Sequence, residues 1–251
     1  MKNLDLSFGD NKTKNEKEEI AKKCYQNFLI YIANFIEVSN KDLSYLDSIT
    51  KVENEHYLQD ALKKGEKVIL ISAHFGAWEL ILQKIGAHIA PITTIREDIM
   101  SSALLNETLI KYRGKNNVEA FYKEGALIGI VKALKKGRII AYLVDQNFKQ
   151  GVEVSFFGKP IKHIQSASQL SRKFDALLVP VFCTTDDYQN YTIKFQEPFK
   201  CAKTDNEERD IFECTQKQST VTQKMIESRP SDYFWFHKKF KSTHKGIYKN
   251  L

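Results

Sequence analysis

No stretch of this sequence stays apolar for the ~20 residues that a bilayer-spanning helix needs. The longest apolar runs, Ile139–Val144 and Ala176–Cys183, have the length of strands. No secretory leader is expected, because the first twenty residues are polar and rich in Lys, Asn and Glu. The expectation is a chain without a transmembrane segment. Cysteine is scarce and shows no pairing pattern. Cys24, Cys183, Cys201 and Cys214 form no C-x-x-C and keep no ligand-like spacing with histidine, so reduced thiols are expected and neither a metal nor another cofactor is indicated. Zinc-finger spacing, an RNA-binding signature and a G-x-x-x-x-G-K phosphate loop are all lacking. Nucleic-acid binding would rest on the formal charge of +7 alone. Charge of that sign suits any anionic partner, phospholipid and acidic protein included.

What is present fits one domain over residues 16–241, between a polar segment, 1–15, and a basic tail, 242–251. In Glu16–Val38, Ile20, Cys24, Phe28, Ile32 and Phe35–Ile36 recur on one helical face. Such a helix packs on a core or lays its aromatic face on a membrane, and the pattern alone serves both. A helix over Glu53–Lys64 stops at Gly65. Strands are then expected at Val68–Ser72, Ile89–Ile95, Asn117–Phe121, Ile139–Val144, Ala176–Cys183 and Tyr191–Phe195. Between and after them, helices are expected at Ala77–Ala87, Ile99–Arg113, Gly125–Lys136, Ile164–Phe174 and Glu207–Glu227. The segment Ala61-Leu62-Lys63-Lys64-Gly65 is echoed by Ala133-Leu134-Lys135-Lys136-Gly137, each ahead of a buried strand. Alternation of this kind means an α/β fold with a largely parallel central sheet flanked by helices.

The chemistry concentrates where the strand Val68–Ser72 runs through Ala73-His74-Phe75-Gly76-Ala77-Trp78-Glu79 into a helix. On one continuous helix His74 and Glu79 would point about 140° apart at ~3.6 residues per turn. With His74 at the strand end and Gly76 bending the chain, Glu79 in the first helical turn can face the imidazole. The carboxyl end of a strand is where open α/β sheets place ligands. A carboxylate beside histidine fixes its tautomer, and the ring can then take a proton from a hydroxyl. From this pair alone a second reading stands beside the first: a satisfied core histidine and a solvated glutamate.

The stretch is similar to the H-x4-D/E motif of glycerolipid-type acyltransferases. In its His-Phe-Gly-x-Trp-Glu form it resembles the lipid A biosynthesis acyltransferases, the lauroyl and myristoyl transferases of Gram-negative bacteria. Further blocks follow in that family's order. They are Tyr112-Arg113-Gly114, Leu134-Lys135-Lys136-Gly137 with Val144-Asp145-Gln146, and Gly151-Val152-Glu153-Val154-Ser155-Phe156-Phe157-Gly158-Lys159-Pro160. Ala176-Leu177-Leu178-Val179-Pro180-Val181-Phe182 and Tyr233-Phe234-Trp235-Phe236-His237-Lys238-Lys239-Phe240-Lys241 complete the series, so the resemblance covers roughly residues 20–241.

The resemblance implies a glycerolipid-acyltransferase-like fold with an N-terminal amphipathic helix. It implies transfer of a fatty acyl chain from acyl carrier protein to a hydroxyl of a lipid A precursor, peripherally, at the cytoplasmic face of the inner membrane. His74 would be the general base and Glu79 its orienting partner. Arg113 would hold a phosphate or polarise the thioester oxygen, against the plain reading of an exposed helix-end arginine. Asp145, with Gln146, would orient the site, the alternative being a helix cap. Phe156 and Phe157 would line an acyl pocket or pack as a core turn. After His237, Lys238, Lys239, Lys241, Lys245 and Lys249 occur without an acidic residue, beside Trp235, Phe236 and Phe240. This end is a solvated tail or a contact for an anionic membrane surface. The same residues would serve a transferase of another lipid acceptor, and the remaining rival is a lipid- or carrier-binding protein without turnover.

Overall fold

The computed structural model describes residues 1–96, 107, 110–122 and 125–249. Its first half contains α1 (Lys2–Phe8), α2 (Lys14–Asn40), α3 (Leu43–Ile49), β1 (Thr50–Glu53) and α4 (His56–Lys63). There follow β2 (Val68–Ser72), α5 (Trp78–His88), β3 (Ile92–Arg96), β4 (Val118–Tyr122), α6 (Ala126–Lys135) and β5 (Ile139–Leu143). The second half adds β6 (Asn147–Phe156), β7 (Lys159–His163), α7 (Ser166–Phe174), β8 (Leu177–Thr185), β9 (Tyr191–Phe195) and α8 (Glu207–Ser228). Of the helix expected over Ile99–Arg113, residues 107 and 110–113 are helical, and the rest lies outside the described residues.

Seven strands form the central sheet in the order β1-β9-β8-β2-β5-β3-β4. Every neighbouring pair is parallel except β8 with β9. The apolar strands explain their own position. β2 reads Val-Ile-Leu-Ile-Ser and is buried at every residue, which a strand tolerates only with both faces covered. Val68 and Leu70 join Ala141, Val179 and Val181 under α2, α4 and α5. Ile69 and Ile71 join Ile140, Tyr142 and Leu178 under α6 and α7. The two echoed helix ends close alike. Gly65 N–H donates to Leu62 O and Glu66 N–H to Ala61 O, and Gly137 and Arg138 repeat this on Leu134 and Ala133.

Helix α2 begins in a capping box, with Glu16 N–H on Thr13 Oγ1 and Thr13 N–H on Glu16 Oε2. Its inner face buries Ile20, Cys24, Tyr31, Phe35 and Val38, while Tyr25, Leu29 and Ile36 stay exposed on the outer side. Among the described residues no helix is long and apolar enough to cross a membrane.

Three segments take structure that the sequence pattern did not show. The polar segment 1–15 carries helix α1, whose Leu4 and Phe8 are buried; Phe8 meets Phe157 at 5.1 Å and Trp235 at 5.8 Å. The block Gly151–Pro160 is an antiparallel hairpin, β6 against β7, docked on α8 through Gln216 to Ser155 N–H and Gln223 to Phe157 N–H. The basic end folds back on the domain: Tyr248 O–H donates to Asn3 Oδ1 and accepts from Phe240 N–H at 3.2 Å. Lys239 lies inside, 2% exposed, so it belongs to no surface patch.

Candidate active site

The junction after β2 is held by backbone bonds from two other segments. Gly76 N–H donates to Asp232 O and Ala77 N–H to Cys183 O, while Phe234 N–H donates to His74 O. Gly76 sits at φ 58°, where L side chains are strained, and a Cβ there would lie 1.9 Å from Cys183 O. Only glycine fits between the junction and β8. The chain therefore turns where the sequence suggested, and α5 starts at Trp78 with Glu79 in its first turn.

The partners differ from those expected. Because Ser72 is in register with Leu143 on the adjacent parallel strand, the residues two further along each chain, His74 and Asp145, emerge side by side. His74 Nδ1 lies 2.9 Å from Asp145 Oδ1. Asp145 is fully buried as a side chain. Burial alone would raise its pKa, but the His74 charge and hydrogen bond, with further help from His237 and Lys239, hold it well below the usual carboxylate range. It therefore stays ionised, accepts the Nδ1 proton and leaves Nε2 of His74 with its lone pair.

Glu79, expected to orient His74, takes its hydrogen bonds elsewhere. Arg113 Nε donates to both carboxylate oxygens at 3.0 and 3.1 Å, Arg113 Nη2 to Oε1, and Trp78 Nε1 to Oε1 at 3.2 Å. Sequence spacing could not distinguish these partners, since Asp145 and Arg113 come from distant segments. Burial works against the charge on Arg113, yet the Glu79 carboxylate outweighs it and raises the guanidinium pKa. Gln83, one turn after Glu79, donates to the carbonyls of Tyr112 and Arg113 and accepts from Asn116, fixing the segment that carries the arginine. Its i+4 spacing from Glu79 was the available signal, and polar residues at that spacing are too common to single it out.

His74, Glu79, Arg113 and Gln146 open onto a cavity of about 350 Å³. Leu70, Ile81, Leu82, Ala141, Leu143 and Val181 are among its apolar lining residues. Phe156 and Phe157 are not among the residues described as lining it. Phe156 packs on Phe157 and Phe240, and Phe157 on Phe8 and Trp235. His237 packs edge-on against His74 at 4.6 Å between ring centroids. His74, Asp145 and His237 offer donor atoms within 4.8 Å of one another. The buried Lys239 ammonium acts on the same carboxylate and opposes an added cation there.

The sequence matches the family described as bacterial lipid A biosynthesis acyltransferase over residues 1–242. It is 25% identical over 205 residues to the lipid A biosynthesis lauroyltransferase of Escherichia coli (strain K12), covering 79% of this chain and 64% of that one. It is 24% identical over 132 residues to the phosphatidylinositol mannoside acyltransferase of Mycobacterium tuberculosis (strain CDC 1551 / Oshkosh), covering 51% and 42%. The chain thus spans less than two thirds of the length of these relatives. Among solved structures, the 1-acyl-sn-glycerophosphate (LPA) acyltransferase of Thermotoga maritima aligns with a TM-score of 0.42 at 14% identity, over 90% of this chain and 91% of that one. The ordered blocks from the strand-to-helix junction to the closing aromatic segment, and the match over residues 1–242, establish that this chain belongs to the bacterial lipid A biosynthesis acyltransferase family.

Proposed function

We propose that this protein moves a fatty acyl chain from acyl carrier protein to a hydroxyl of a lipid A precursor, with His74 as general base. The observation that carries the reading is His74 itself. Its Nδ1 is held by a buried carboxylate, and its ring opens onto a cavity lined by both polar and apolar side chains. Nε2 takes the proton of the acceptor hydroxyl, and the oxygen attacks the thioester carbonyl carbon. The tetrahedral intermediate collapses with cleavage of the C–S bond, and the leaving thiolate takes the proton back from the imidazolium. No covalent enzyme intermediate is needed. All four cysteines are buried, and burial pushes the Cys24 thiol up to about 11, which suits packing and not nucleophilic attack.

Glu79 serves this reaction through Arg113. Held on two nitrogens, the guanidinium keeps its charge where it lines the cavity. We assign it to a phosphate of that acceptor, because the lipid A precursor carries phosphates and a clamped guanidinium presents planar donors to them. Gln146, exposed and lining the same cavity, is assigned to acceptor contact.

Purified protein incubated with acyl carrier protein thioesters and lipid A precursor should add one acyl mass to the acceptor by mass spectrometry. His74→Ala should abolish the addition without loss of fold. Normal turnover by folded His74→Ala would sink the mechanism. The likeness to a mannoside acyltransferase supports a second reading, with a different lipid as acceptor. Transfer to that lipid and none to the lipid A precursor would decide for it. A protein without turnover would leave the thioester intact with either acceptor.

A further inference from the structure

The Asp145 carboxylate is engaged by His74 through one oxygen. Its other oxygen, Oδ2, is buried without a hydrogen-bond partner, and so are the Tyr233 hydroxyl and His237 Nε2. The three residues converge on one place. Burial, and then the Asp145 carboxylate, push the Tyr233 phenol far above its ordinary range. A ring nitrogen of His237 lies within 4.8 Å of both an Asp145 oxygen and a His74 nitrogen. Two polar atoms at that separation are spanned by one water making hydrogen bonds of ~2.8 Å at a near-tetrahedral angle. Buried waters typically take ~3 partners, the number of orphaned atoms present here.

His237 is set in this position with unusual care for a residue near a chain end. Its carbonyl accepts from Lys239 N–H at 2.8 Å and from Asn3 Nδ2 at 2.6 Å. Tyr233 forms an antiparallel bridge with Phe75, beside His74, and Phe234 N–H holds the His74 carbonyl. Burial keeps His237 down at about 4, so near neutrality the ring is uncharged, adds no repulsion to an imidazolium on His74, and has one N–H to donate.

We propose that His237 is a positioning residue for His74: with Tyr233 it holds Asp145 Oδ2, directly or across one buried water, and so keeps Oδ1 on His74 Nδ1. The inference rests on the reading of His74 as the base, but part of its test needs no substrate. In proton NMR the His74 Nδ1–H shared with Asp145 should give a downfield resonance, assigned by its absence in His74→Gln. That resonance should broaden or vanish in His237→Ala and persist in His237→Gln, which keeps a donor. In the transfer assay His237→Ala should lower kcat roughly 10- to 100-fold, the scale of one lost buried hydrogen bond, with donor and acceptor KM within about twofold. His237→Gln should recover most of the loss, and Tyr233→Phe should reproduce part of it. If His237→Ala does not fold, His237→Gln and Tyr233→Phe carry the same comparison. An unchanged resonance and kcat in His237→Ala would overturn the proposal. So would a His237→Gln as impaired as His237→Ala, or a Tyr233→Phe with wild-type resonance and rate. A wild-type protein that shows the resonance but no transfer would refute the proposed function and leave this positioning intact.

Discussion

A histidine works as a base toward a hydroxyl only while the tautomer with its lone pair facing the substrate is enforced. In the proposed mechanism that task at His74 falls to Asp145, so the residue to test first is the aspartate. Asp145→Asn keeps the shape but offers an amide in place of the accepting carboxylate. If it acts as the carboxylate of a hydrolase triad does, kcat should drop by ~10⁴ with the fold retained, in the same assay that measures acyl transfer. A loss of less than about tenfold would show that Asp145 does not govern the ring. Lys239 offers a second test at this scale. Burial pushes its ammonium down to about 8, against ~10.4 in an unfolded chain. A lysine with a depressed folded pKa costs stability below 8, where both states hold the proton. That cost is relieved as pH rises from about 8 to about 10.4, where the unfolded chain binds more protons. Buried Cys24 and Cys183, with raised pKa values, pull the other way in this window. The informative quantity is therefore the difference between Lys239→Met and wild type. The advantage of the methionine variant in urea unfolding should shrink between pH 8 and pH 10, and a constant difference would place the lysine head in solvent.

At the scale of elements, the Glu79–Arg113 pair joins the first turn of α5 to the segment around 110–116 that leads into β4. Both side chains are largely buried, so removing one leaves a charge without its partner, at a cost of ~3–5 kcal/mol. Arg113→Ala should therefore lose that much in denaturant titration. Pairing it with Glu79→Gln should restore a clear part, and additive losses would mean the two side chains do not meet. Arg113→Lys should stabilise less than arginine, because an ammonium cannot reproduce the two-nitrogen fork. The same elements show what was legible in sequence. The buried strands were readable because Val68–Ser72 and Ile139–Leu143 are apolar on both faces, and the turn at Gly76 because a strand and a helix pattern meet there. The partner of His74 was not, since it depends on β5 lying beside β2 in a particular register, which local pattern does not encode. Helix α1 escaped notice because two buried residues, Leu4 and Phe8, make too little periodicity to stand out among polar neighbours. The hairpin β6–β7 hid its aromatic pair for a related reason. Phe156 and Phe157 read alike as pocket wall or as core until the packing of α1 and Trp235 is known.

For the molecule as a whole, the long N-terminal helix presents two unlike faces. The inner face is core. On the outer face Tyr25, Leu29 and Ile36 are exposed in line, and Phe236 lies 5.6 Å from Tyr25 between ring centroids. From there a series of rings leads inward: Phe28 on Phe234 at 4.7 Å, Phe28 stacked on Trp78 at 6.4 Å, and Trp78 edge-on to His74 at 5.3 Å. Under the proposed function, this exposed apolar patch beside the site would be where a lipid acceptor arrives. The exposed Lys238, Lys241, Lys245 and Lys249 lie on the segment just after Phe236. Each basic residue near an anionic surface adds ~1 kcal/mol, screened over ~10 Å at 0.1 M salt. Binding to anionic phosphatidylglycerol vesicles is thus expected to have two separable parts. Replacing Lys241, Lys245 and Lys249 by glutamine should weaken flotation at low salt and flatten its salt dependence. Replacing Tyr25, Leu29 and Phe236 by serine should weaken it at every salt concentration, with the His74–Asp145 resonance preserved. Transfer to an acceptor presented in vesicles should then fall more than transfer to the same acceptor dispersed in detergent, because the patch acts before chemistry, on arrival. Vesicle binding that survives both sets of substitutions would move the membrane contact to another face.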